Sequence, residues 1–491
     1  MTDRALRLLL QDARLAELAA YPFDFDVERA GHGHVEPVRL ASGGSLRAVA
    51  GDAGGGTYFV CEDGSVLYAD SEGSAGIVGA GVDEALEIMI GLEDEEDYAD
   101  DDEDPEGFSL ERARTELRAG LGFPERPREE LEALLDAALA RTEPDFLLLN
   151  AVEGRAYDLI GPPPPPLREP VLASGRADLA GLRAGDRAVW DAVADDPVRR
   201  RIALRAAQFD RAEGDLGLLR HLLRHEARSS MSDELRLAAV LVGLHGRPED
   251  LPLLHEVRRT DFDTACGLSE LPGPDADPAE LSRWARELDD LLFGTDPADE
   301  PLYTWTDLAL DQGMTNLARC ALIRRFDAIE LDQSLLRRTD DPARLDTSEL
   351  SSLVGDFERI GEPGQALRAQ RLHTALQERA CDRVPARLTQ ARLERETGQL
   401  AAAERTLAAL RDTLAVPGDA SPGLWRGTSL GRYIAEEHYA LVLALADAGS
   451  AQEARALLDA ADALLGELSE SAARGARELA ERSARRVRGL S

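Results

Sequence analysis

Residues 46–69 read LRAVAGDAGGGTYFVCEDGSVLYA, and the fold of the first part of the chain follows from this stretch. Leu46 to Ala50, Thr57 to Cys61 and Ser65 to Ala69 are short runs rich in apolar and β-forming residues. Gly51-Asp52-Ala53-Gly54-Gly55-Gly56 and Glu62-Asp63-Gly64 separate them, and both carry the glycine and aspartate that tight turns need. The pattern predicts an antiparallel meander. A fourth strand is expected at Gly76 to Val78, leading into a helix over Asp83 to Gly91 whose first turn is acidic and so complements the helix dipole. Upstream, residues 4–20 alternate leucine and alanine with charge at helical spacing and stop before Tyr21-Pro22, which predicts a single helix. Helices are also expected at Leu110 to Gly120 and Arg128 to Arg141.

Further outward the pattern changes. Residues 93–104 hold ten acids in twelve positions, which repel one another and predict a disordered acidic loop over 93–106. Five prolines, Pro162 to Pro166, predict a stiff spacer. Beyond it almost every segment has helical period. Glu234 to Gly246 and Pro248 to Arg259 read as one antiparallel pair, and similar pairs, resembling HEAT-type repeats, are expected through 187–337. In the last 140 or so residues Gly361, Gly398 and Gly449 each stand five residues before an alanine, Ala366, Ala403 and Ala454. A glycine turn followed by a small residue lets two helices pack closely, and the pattern resembles tetratricopeptide repeats at uneven intervals of 37 and 51 residues. The expected organisation is an α+β domain over 1–161, a linker over 162–167, HEAT-like repeats over 168–345 and tetratricopeptide-like repeats over 346–491, the helical part forming a superhelix.

Composition narrows the function. All 56 basic residues are arginine. Without lysine there is no P-loop lysine, no kinase-type phosphate lysine and no Schiff base, and the bias points to a GC-rich bacterial genome. The net charge is −37, and residues 1–161 carry 37 acids against 13 arginines, a difference of −24. Between Arg47 and Arg112 lie 20 acids and no base, a surface that repels nucleic acid and favours a basic protein. No apolar run reaches the ~20 residues of a membrane span and the start lacks a secretory apolar region, so a cytoplasmic location is expected. Cys61, Cys266, Cys320 and Cys381 form no C-x-x-C pair and read as reduced thiols in cores.

Candidate chemistry is sparse. His221 and His225 share a helical face without a third ligand fixed by sequence and read as structural. His34-Val35-Glu36 lacks the P-C-x-x-C half of a zinc-deaminase signature, and His32 and His34 are expected to be a solvated pair. The run from Gly76 through Gly79 and Gly81 to Glu84 mimics a dinucleotide fingerprint but places a carboxylate where glycine or alanine is needed. Trp190, Trp284, Trp305 and Trp425 are expected to fill repeat cores, and the arginines of the final helix, Arg474 to Arg488, to offset its dipole. No catalytic, cofactor or metal residue is assigned, and the protein is not expected to be an enzyme.

Five stretches, Leu46-Arg47-Ala48-Val49-Ala50-Gly51-Asp52, Gly56-Thr57-Tyr58-Phe59, Gly64-Ser65-Val66-Leu67-Tyr68, Ser71-Glu72-Gly73 and Val82-Asp83-Glu84-Ala85-Leu86, together resemble the SUKH superfamily of immunity proteins. That resemblance implies a small sheet with flanking helices and the binding and neutralisation of a toxin. The expected contacts to a basic partner are Asp63, Asp70 and Glu72 on the sheet, with Asp100, Asp101 and Asp102 in the acidic loop. The alternative is a cytoplasmic scaffold that binds through the helical array.

Overall fold

The computed structural model describes residues 4–94, 109–332, 347–415 and 422–490. Residues 95–106 of the expected acidic loop, with Asp100, Asp101 and Asp102, lie outside the described residues, while Asp94 pairs with Arg128 at 2.6 Å. An α+β part with a small sheet is followed by an all-helical part. By contacts the chain divides into two compact units, Met1–Val35, Leu40–Leu147 and Asp158–Ala321 in the first, and Glu36–Arg39, Leu148–Tyr157 and Leu322–Ser491 in the second.

The first unit opens with two helices where one was expected, α1 (Arg4–Gln11) and α2 (Ala13–Ala20). Asp12 makes the break. Its carboxylate accepts from the backbone N–H groups of Arg14 and Leu15 and caps α2, so a residue that would weaken a helix interior starts a new one. The meander forms as the turns dictate. Strands β2 (Leu46–Gly51), β3 (Thr57–Cys61), β4 (Val66–Ala69) and β5 (Ser74–Gly79) are antiparallel neighbours in that order. β7 (Asp158–Leu159) extends this sheet parallel to β5, whereas β1 (Val38–Leu40) pairs with β6 (Leu148–Asn150), a strand of the second unit. Helices α3 (Val82–Leu92), α4 (Leu110–Leu121) and α5 (Arg128–Leu139) flank the sheet. Phe23, Phe25, Tyr58, Val66, Leu86, Ile90 and Leu117 meet in one apolar core between the sheet and α1 to α4.

The same unit continues through a second core. Helices α6 (Arg168–Arg183), α7 (Arg187–Asp195), α8 (Pro197–Phe209), α9 (Leu216–Glu226), α10 (Asp233–Leu244), α11 (Leu251–Arg258), α12 (Phe262–Gly267) and α13 (Pro278–Leu292) follow. Leucines of α6, α9, α10 and α11 pack with Trp284 and Phe293. One ion triad reaches into it: Glu226 is fully buried and accepts from Arg200 Nε at 2.6 Å, from the partly exposed Arg201 Nε at 2.9 Å and from Ser232 Oγ at 3.2 Å. Arg200 also donates to the Ala194 carbonyl. Helix α14 (Leu302–Asp311) completes the described helices lying wholly in this unit, and α15 (Thr315–Asp332) begins in it.

The second unit contains three helical pairs, α16 (Thr347–Arg359) with α17 (Pro363–Ala375), α18 (Ala380–Glu396) with α19 (Leu400–Ala415), and α20 (Ser429–Asp447) with α21 (Ala451–Glu467), closed by α22 (Glu470–Arg488). Each turn is built alike. Gly361, Gly398 and Gly449 sit at φ +76°, +76° and +81°, where side-chain-bearing residues are strained. The next residue's N–H reaches back five residues, Glu362 to Phe357 at 2.8 Å, Gln399 to Glu394 at 2.7 Å and Ser450 to Leu445 at 2.9 Å, which is the Schellman closure. Ala366, Ala403 and Ala454 are then each the fourth residue of the following helix and are fully buried. The offset occurs a fourth time, unread in the sequence: Gly313 at φ +76°, Met314 N–H to Ala309 at 2.8 Å, and Ala318 buried beside Trp305 and Leu308. Replacing Ala403 with leucine should overpack its contact with α18 and cost about 1 to 3 kcal/mol, seen as a lowered thermal midpoint. An unchanged midpoint would argue that the small residue is not what sets the helix spacing.

A hairpin from the first half of the chain belongs to this second unit. Leu148–Tyr157 is held through its backbone: Asp327 accepts from Ala156 N–H at 3.0 Å, while Gln365 and Arg368 donate to the Gly154 carbonyl at 2.7 and 3.1 Å. Among the described residues no helix is long and apolar enough to cross a membrane.

Candidate partner-binding surface

The residues expected to contact a partner fall on turns of the meander. Asp63 occupies the turn between β3 and β4, and Asp70 and Glu72 the turn between β4 and β5. These turns lie at opposite ends of β4, whose four residues put roughly 13 Å of strand between them. The three carboxylates therefore do not form one patch.

Two of the three also work inside the fold. Asp63 accepts from Ser65 N–H and Ser65 Oγ, at 2.9 and 2.8 Å, and pairs with Arg141 at 3.3 Å. Asp70 Oδ1 accepts from the N–H groups of Glu72, Gly73 and Ser74, each at 2.8 Å. Burial acts to raise the Asp70 pKa, but the backbone donors outweigh it and hold the carboxyl below its ordinary range. Glu72 differs. Its side chain is exposed and, like that of Glu62 at the opposite end, makes no hydrogen bond or ion pair through its carboxylate among the described residues.

Near Asp70 and Glu72 the chain gathers further acid. Asp52 is buried and accepts from Gly56 N–H at 2.8 Å and Tyr68 Oη at 2.6 Å, and Tyr68 stacks with Tyr58 at 4.8 Å between ring centroids. Loss of water and the Asp52 charge push both phenols above their usual range, so they stay protonated. Asp24 has a left-handed backbone at φ +49°, and desolvation, with repulsion from Asp52, lifts its carboxyl. Arg29 is tied to Asp26 at 3.2 Å and to the Asp52 carbonyl at 2.7 Å. This end of the sheet is a hydrogen-bonded acidic cluster, with Glu72 as its outward carboxylate.

The other sequence candidates resolve into packing. Glu84 accepts from Ala80 N–H at 2.8 Å and so occupies the amide that a phosphate would need, while a Cβ on Gly79 would stand 2.6 Å from Ala85 N. The glycine serves the approach of α3 to β5. His34 is not simply solvated: its Nδ1 lies 3.1 Å from Thr57 Oγ1 and its ring is edge-on to Phe59. His221 and His225 face Asp191 and Asp195 at 3.4 and 3.5 Å, and among the described residues no group of three or more histidines, cysteines or carboxylates is arranged to hold a metal ion. Cys61 and Cys320 are buried, but Cys266 is exposed and Cys381 half-buried, so only two of the four thiols sit in cores. Burial, with Asp63 adding repulsion, pushes the Cys61 thiol up to about 12. Trp284, Trp305 and Trp425 fill cores as expected, and Trp190 is half-buried with its indole N–H on the Leu182 carbonyl at 2.7 Å.

No family model, curated protein or solved structure matches this chain.

Proposed function

We propose that this is a protein-binding protein whose N-terminal part engages a basic protein, in the manner that the resemblance to SUKH immunity proteins implies. The observation that carries the proposal is the stretch of 20 acids without a base between Arg47 and Arg112, on the part of the chain that holds −24 of the −37 net charge. A cationic toxin, such as a nuclease whose groove attracts phosphate, would meet here a stretch of carboxylates in place of its substrate. Charges of this kind act mainly on the rate of association and are screened beyond ~10 Å at 0.1 M salt.

The test uses the full-length chain and the partner captured with it from the native host. Asp70 is a poor probe, because reversing it would leave three backbone donors without their acceptor. Glu72→Arg and Glu62→Arg change charge alone, one at each end of the sheet. Association followed by stopped flow should slow about tenfold or more for Glu72→Arg at 20 mM salt, with the difference gone at 0.5 M. Equal rates for both variants and the wild type would remove the sheet from the interface and favour the alternative, a scaffold that binds through its helical array.

A further inference from the structure

Helices α17, α18 and α19 of the second unit enclose a groove of about 690 Å³. Arg371 of α17, Arg383 and Arg387 of α18 and Arg405 of α19 line it, and the single carboxylate is that of Glu394. Glu394 is 2% exposed and already satisfied: it accepts from Thr406 Oγ1 at 2.7 Å, Gln390 Nε2 at 3.0 Å and Arg371 at 3.3 Å. Arg383, Arg387 and Arg405 have no carboxylate within 4 Å among the described residues, in a chain where 93 acids face 56 arginines. We propose that this groove is a second binding site, for an acidic peptide segment of a partner protein.

Two of the arginines, Arg383 and Arg387, are positioned without being neutralised. Arg387 donates to the Ala409 carbonyl at 2.6 Å and to Thr413, and Arg383 to the carbonyls of Gln377 at 3.2 Å and Glu378 at 2.7 Å. Neutral acceptors fix the direction of a guanidinium but leave its charge and its remaining N–H groups for a ligand. Loss of water and repulsion from Arg383 hold the Arg387 pKa below its ordinary value, with Asp412 acting weakly the other way, so a bound anion would relieve this strain. Elsewhere the same chain neutralises a buried arginine outright: Arg205 in the first unit has Glu234 at 2.8 Å and Glu300 at 3.4 Å.

The shape favours a peptide over a small anion. From Arg383 to Glu394 the lining face of α18 runs about 16 Å at 1.5 Å per residue, longer than one phosphate spans. Gln377 and Gln390 also line the groove, and their side-chain carbonyls, unbonded among the described residues, can accept from peptide amides. The −37 charge of the whole chain disfavours nucleic acid in the same groove.

The probe is a fluorescein-labelled twelve-residue peptide of alternating aspartate and alanine, read by anisotropy against the full-length protein, with its asparagine counterpart as control. The aspartate peptide should bind, lose affinity as salt rises, and bind at least tenfold more weakly to Arg405→Glu. Arg405 is exposed and makes no internal hydrogen bond among the described residues, so this variant should melt as the wild type does. Arg383→Gln should weaken binding in the same direction. Equal binding of the asparagine peptide, or unchanged affinity in Arg405→Glu, would overturn the proposal. Competition by single-stranded DNA at lower concentration than the unlabelled peptide would assign the groove to nucleic acid instead, and displacement by 1 mM phosphate would reduce it to a small-anion site.

Discussion

Changing Glu226 to alanine is expected to destabilise the first unit by about 3 to 5 kcal/mol, because it leaves a cation in the core with nothing to balance it. Arg200 is 4% exposed and Glu226 is the carboxylate it pairs with among the described residues. The pair itself need contribute little, since desolvating both ions offsets most of their attraction. Glu226→Leu combined with Arg200→Met should therefore recover most of the loss. Unfolding in urea can be followed by tryptophan fluorescence in a Trp425→Phe background, where Trp190, Trp284 and Trp305 all report on the first unit. A single-variant loss under 1 kcal/mol would mean that Arg200 finds water in the folded state.

The second large effect is a dependence on pH that resides in one imidazole. His438 is fully buried in α20. Its Nδ1 donates to the Ile434 carbonyl at 2.7 Å, and Arg411, which can only donate, lies 2.8 Å from Nε2. Both nitrogens are thus committed to the neutral ring. Burial lowers its pKa to about 4, helped by the Arg411 charge and opposed by the Ile434 carbonyl. The unfolded chain takes up the proton near 6.5, before the folded chain does, so the stabilisation is complete above 6.5 and drains away as pH falls to about 4. A shift of this size corresponds to roughly 3 kcal/mol. In His438→Gln, whose amide can keep both hydrogen bonds, that part of the acid sensitivity should vanish. Hydrogen exchange of peptides covering α20, compared at pH 7 and 4.5, measures the difference, and parallel profiles for the two proteins would refute it.

What the sequence reveals depends on how far apart the interacting residues are. The meander is legible because Asp52 to Gly56 and Glu62 to Gly64 fix its turns locally, and the helical turns at Gly361, Gly398 and Gly449 announce themselves in the same way. Asp12 misleads because an aspartate within a leucine pattern can be a solvated helix residue or a cap, and only the backbone decides. The strands at 38–40, 148–150 and 158–159 are too short to show alternation. The separation of Asp63 from Asp70 and Glu72 follows from counting the strand between them. The arginine groove is the hardest to see, its four arginines being spread over 35 positions that also hold three other arginines and five acids. A local sign exists nonetheless: none of Arg371, Arg383, Arg387 and Arg405 has an acid three or four residues away, although such helical ion pairs are common in this chain.

The hairpin Leu148–Tyr157 bears on how the protein is made. Its partners Asp327, Gln365 and Arg368 follow it by 171 to 214 residues. At the usual pace of synthesis the ribosome needs roughly 10 to 40 s to deliver them. Through that interval the Gly154 carbonyl and the Ala156 amide have only solvent to bond with. The hairpin is consequently held only once synthesis has passed Arg368, and a chain arrested before Asp327 would display it without the helices that hold it.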